Sequence, residues 1–248
     1  MLFYKEYLLN NSSKIIVLDI DANNIEQFIL DSVISICEGD SQTDIETIKV
    51  RLFDYLLPKD FDQRKGAIAE FYLHLFLKQL GYKQEFLFLN LEENSIKKGF
   101  DGYYTYNGRE WILESKSGNN VEHKDKVQEA YLDLKGKLTK KQKNNPWQNA
   151  YNHASHFAVR ADISLITKLK NMSNNYYKNV LFPLTDFNLM PCGTIFEHDA
   201  SEEKTKDEIA ESVKAIVNNM AGKKICAIAV SNRAYSAFLQ FVGIGDDL

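Results

Sequence analysis

Asp101 and the triplet Glu114-Ser115-Lys116 are separated by twelve residues, and their types suit one chemistry. Two carboxylates can hold a hard divalent cation, and a nearby lysine can offset their charge. Between them stands Asn107-Gly108, the strongest short signal for a two-residue type I′ turn, because both positions need φ > 0. In such a hairpin Tyr106 faces Arg109 and partner numbers sum to a constant. Asp101 then falls opposite Glu114. Side chains alternate along a strand, so Lys116 shares the face of Glu114. Carboxylates facing one another repel. A divalent cation between them removes that repulsion, and a lysine reduces it. The plain alternative is a solvated hairpin end whose charges face water. Trp111 and Leu113 make the second strand unlike a generic charged one.

The flanking elements must bring these groups together. Pro58 ends one helix and Asp60 or Asp62 caps the next, which runs to Leu80 and stops at Gly81. Ile68, Phe71 and Leu75 form its core stripe. Glu70 lies between apolar positions, so it is either an exposed flank residue or an acid facing the core with a partner. His74 reads as a flank residue. Phe86–Leu91 is a continuous apolar run, expected as a central strand, and 92–98 as a loop. Gly118-Asn119-Asn120 ends the hairpin. Residues 121–143 form a helix with Val127, Tyr131, Leu134 and Leu138 inward. Its other faces carry Lys135, Lys137, Lys140 and Lys141 among seven lysines, either a phosphate-tracking ridge or a solvated face. Pro146 opens a further helix that includes Gln148 and Tyr151.

Upstream, 14–18 reads as a strand and 22–37 and 43–57 as helices. Downstream, 162–177 and 201–221 are helices, 180–184 is a short strand with Pro183 at its end, and 225–230 is a buried strand. Residues 232–241 return to the surface. The expected fold is α/β, a central mixed sheet flanked by helices. Its expected parts are an accessory layer over 1–57, a core over 58–160 and an α/β extension over 161–248 packed in the same domain.

Three scattered cysteines, Cys37, Cys192 and Cys226, argue against a disulfide or zinc framework. No basic start with an apolar run marks a signal peptide, and no apolar run is long enough to span a membrane, so the expected location is cytoplasmic. Net charge is −4, which does not advertise nucleic-acid binding. Yet residues 97–145 hold 11 basic and 7 acidic side chains, a local surplus around the hairpin that matters more for phosphate contact than the total.

The order of helix with Glu70, Asp101, hairpin, Glu114-Ser115-Lys116 and following helix resembles the PD-(D/E)xK nuclease superfamily, over about residues 58–160. Gly99-Phe100 stands where some members carry a proline. The resemblance implies a restriction-endonuclease-like core that hydrolyses phosphodiester bonds with Mg²⁺ or Mn²⁺. It implies Asp101, Glu114 and the Ser115 carbonyl as metal ligands, Glu70 at a second metal or its water, and Lys116 at the attacking water. Some members place Gln and Tyr on a later helix against the DNA backbone. Gln148 and Tyr151 are three apart here, not the usual four. Chain size, the mid-chain core and the Gly99-Phe100-Asp101-Gly102 to Glu114-Ser115-Lys116 pattern also resemble nuclease subunits of Hachiman-type bacterial antiphage systems. That likeness implies DNA as substrate and a helicase partner. A stand-alone restriction or repair nuclease and a non-catalytic nuclease-fold subunit are the other readings. The sequence leaves open DNA against RNA, endonuclease against exonuclease, and one metal against two.

Overall fold

The computed structural model describes residues 2–23, 25–39, 41–89, 99–140, 142–156, 163–197 and 204–245. Their strands are β1 (Phe3–Leu8), β2 (Ser13–Ile20), β3 (Lys83–Gln84), β4 (Gly102–Tyr106), β5 (Arg109–Gly118), β6 (Asn188–Phe196) and β7 (Lys224–Asn232). They form one sheet of seven strands in the order β1-β2-β7-β6-β5-β4-β3. The inner strands β2, β7, β6 and β5 are parallel, and the outer pairings are antiparallel. Parallel strands need cover on both faces. Helices α1 (Ile25–Leu30), α2 (Val33–Glu38), α3 (Ile45–Leu56), α4 (Phe61–Gln79) and α9 (Tyr235–Val242) build one apolar layer. Helices α5 (His123–Thr139), α6 (Pro146–His156), α7 (Ile163–Tyr177) and α8 (Lys206–Val217) build the other. The sheet curls, so the Tyr4 ring of edge strand β1 meets Phe76 of α4 at 5.3 Å.

The hairpin takes the expected register. Tyr106 pairs with Arg109 and Gly102 with Leu113, and Asn107 and Gly108 both have positive φ, 48° and 67°. Asp60 caps α4 by accepting from the Gln63 N–H at 2.8 Å, and Gly81 takes φ 80° just beyond the helix.

Four expectations are corrected. The helix over 22–37 is two short helices, broken at Asp31-Ser32. Phe86–Leu89 is buried but irregular, with the Phe88 N–H donating to the Ile36 carbonyl, and the strand nearby is the two-residue edge β3. The loop expected over 92–98 lies outside the described residues. Residues 180–183 are not a strand, and the strand lies at β6, buried at every position. Pro191 disguised it, because a proline has no N–H to give a central strand. The β6–β7 register skips Met190 and Pro191, which is how the sheet accommodates it. Residues 235–242 do not return to the surface: α9 buries Phe238, Leu239, Phe241 and Val242.

Candidate active site

Asp101 stands one residue before the last pair of the β4–β5 ladder, at the end of the hairpin away from its turn. Its Oδ2 accepts the Ser115 N–H at 2.8 Å. That bond fixes the carboxylate against β5. Gly99, two residues earlier, has φ 83°, and a Cβ there would stand 2.1 Å from the Pro146 carbonyl oxygen. Only glycine lets the chain pass that close to α6 on its way to Asp101.

Asp101, Glu114, Ser115 and Lys116 line a cleft of about 420 Å³ together with Glu70, Gly66, Ala67 and Gln63 of α4, Lys59 just before it, and Tyr55 of α3. Glu70 is therefore a buried acid facing the hairpin. His74, one turn on, is no flank residue. Its ring is buried, with Nε2 3.3 Å from Glu70 Oε1 and Nδ1 2.5 Å from the Tyr104 hydroxyl. The i, i+4 spacing of Glu70 and His74 was the available signal.

Helix α5 supplies the ion-pair partners of Glu114 and Lys116. Lys137 Nζ donates to Glu114 Oε2 at 2.6 Å, and Lys116 Nζ lies 3.5 Å from Glu114 Oε1. Asp133 Oδ2 accepts from Lys116 at 2.7 Å and lies 3.6 Å from Lys137. Asp133 and Lys137 are one turn apart on α5, so they share a face. Nothing in the sequence marks Asp133 for this place, and Lys137 lies on the face expected either as a phosphate-tracking ridge or as a solvated one. Close packing sets α5 against the sheet: a Cβ on Gly193 of β6 would meet the Val127 nitrogen at 2.7 Å.

Burial pushes the Asp101 carboxyl up, and Glu70 adds to it. Lys137, Lys116 and the Ser115 N–H oppose the rise. Burial and Asp101 push Glu114 well up against the pull of Lys137. Burial would lower Lys116, but Asp133 and Glu114 outweigh it and raise it, so the ammonium is held charged. Asp133 is drawn down to about 2 despite burial, by hydrogen bonds with Glu114 and Lys116 and by the charge of Lys137.

The donors are hard oxygens crowded against their own repulsion. That is the chemistry a small divalent cation relieves. Among the described residues no three His, Cys, Asp or Glu side chains stand together as a metal-holding group. The fit is thus to a cation taking one or two carboxylates, a backbone carbonyl and water, the usual habit of Mg²⁺.

Of the other residues singled out, Lys135 and Lys140 are exposed and Lys141 lies outside the described residues. Gln148 is engaged within the fold. It accepts from Ser173 of α7 at 2.8 Å and donates to Asn152 at 2.7 Å. Tyr131 is likewise tied down, taking the Ala221 N–H at 2.7 Å. All three cysteines are buried. No described helix is long and apolar enough to cross a membrane.

No curated protein matches the chain. The HamA family profile matches residues 5–245, nearly the whole chain and all seven strands except the first residues of β1. The chain belongs to the HamA family, a component of the multi-part Hachiman antiphage defence system.

Proposed function

We propose that this HamA protein is a metal-dependent deoxyribonuclease, the effector of its defence system, working with a helicase subunit. The observation that carries the reading is the convergence of Glu70, Asp101, Glu114 and Lys116 on one cleft from a helix and a hairpin. Asp101, Glu114 and the Ser115 carbonyl would hold Mg²⁺ or Mn²⁺, with Glu70 at a second ion or a bound water. The ion would supply Lewis-acid polarisation of the phosphoryl oxygen and an acidified water. Lys116 acts as a cation, because Asp133 and Glu114 keep it protonated. It orients the attacking water and faces the negative charge that grows on the phosphate. Lys135 of α5 and Lys140 just after it are exposed, and the reading gives them the DNA backbone to meet.

The test is cleavage of DNA with varied ends, with Mg²⁺ or Mn²⁺ and the partner helicase present. Cleavage should occur and EDTA should abolish it. Persistent inactivity under those conditions would favour a non-catalytic subunit that keeps a nuclease fold.

A further inference from the structure

Beside the cleft, Lys137 is a cation to which the nuclease reading gives no part in the chemistry. Lys137 reaches from the last turn of α5 to the buried Glu114, and its own side chain is only 17% exposed. The contact of 2.6 Å is the shortest that Glu114 makes with either lysine. Lys116 already has a seat on Asp133 at 2.7 Å. Lys137 also stands 3.6 Å from that same Asp133 oxygen, so it has a second carboxylate within a small rotation of its stem. An ammonium seated on Glu114 opposes, by its charge, the approach of a divalent cation to the same carboxylate.

We infer that Lys137 is a resident counter-cation that competes with the divalent metal for Glu114, and that metal entry moves its ammonium onto Asp133. The inference rests on the metal reading of the cleft and adds a positioning residue to it. Buried carboxylates left without a cation would repel one another, and Lys137 limits that repulsion before metal arrives. Once metal neutralises them, the lysine is no longer needed on Glu114. Asp133 then holds two ammonium groups, Lys116 and Lys137. Asp133 thereby becomes the anchor of the cleft's cations, and Glu114 the site of exchange.

The experiment is a Mn²⁺ titration of the full chain without nucleic acid, read by calorimetry. Lys137→Met keeps the apolar stem and removes the charge. It should bind Mn²⁺ at least about tenfold more tightly than the wild type, since one nearby positive charge no longer opposes the ion. Lys135→Met, an exposed change on the same helix, should bind as the wild type does. Equal or weaker binding by Lys137→Met, or an equal gain in Lys135→Met, overturns the inference and leaves the metal site standing. No Mn²⁺ binding by the wild type sinks the metal reading and the inference with it. Should Lys137→Met not fold, the wild type still decides the matter. Mg²⁺ that binds should shift the Lys137 side-chain ammonium resonance, and a bound ion without that shift refutes the exchange.

Discussion

Lys116 and Glu114 are two residues apart on β5, yet their removal should have different consequences. Lys116 is 28% exposed and shares its partners with Lys137. Lys116→Ala should abolish cleavage while lowering stability by about 1 kcal/mol or less, as for a solvent-screened ion pair. Metal binding should persist, because an ammonium is not a ligand. Glu114→Ala removes a side chain 2% exposed and leaves the Lys137 ammonium only its longer, 3.6 Å contact with Asp133. Breaking one side of a buried pair costs about 3–5 kcal/mol, so this variant should lose metal binding, cleavage and much of its stability together. Urea midpoints, Mn²⁺ affinity and turnover on the two variants separate chemistry from scaffold. Near-wild-type turnover in Lys116→Ala would end the proposed mechanism.

At the scale of elements, α5 is tied to the sheet by a buried imidazole at its start. His123 Nε2 lies 3.1 Å from the Ser231 hydroxyl of β7, and Ser231 in turn donates to Glu197 at 2.9 Å. Burial pushes His123 down to about 4 from its ordinary 6.5, although a bond with the Val230 backbone opposes the shift. The unfolded chain therefore takes up this proton at higher pH than the folded one. Its contribution is full above 6.5 and is lost as pH falls toward 4. Melting curves across that window should fall more steeply for wild type than for His123→Gln, by up to about 3 kcal/mol at the acid end. Parallel curves would mean that the folded imidazole is not held neutral. The same helix shows how far the sequence could be read. Its apolar stripe was legible from spacing, and the hairpin from Asn107-Gly108. Lys137 was not distinguished from its neighbours, because a lysine facing a buried acid has the same local pattern as one facing water. The partner acid lies 23 residues away. Strand β6 was missed for a related reason: Pro191 and Gly193 are poor strand formers, and only burial between β5 and β7 overrides that preference.

Across the whole molecule, the sheet joins parts that are far apart in the chain. Residues 58–160 contain α4, β3, β4, β5, α5 and α6, and every side chain proposed for catalysis. They lack β6, which pairs with β5 from Trp111 to Gly118, and β7, which carries Ser231 opposite His123. Without β6, strand β5 becomes an open edge, and α5 loses Gly193, the floor on which its first turns rest. N-terminal β2 is needed in turn, because it covers β7 from Ser13 to Ile20 with the buried Ile15–Leu18. A fragment of residues 58–160 should therefore fail to fold, although it spans the whole nuclease-like motif. The full chain should unfold in one cooperative step, with amides of β2 exchanging as slowly as those of β5. Native-state hydrogen exchange and a heteronuclear NMR spectrum of the fragment check both statements. A dispersed spectrum from the fragment would show that the hairpin and its two helices can hold Asp101 against Ser115 unaided, and that the outer strands serve some purpose other than building the cleft.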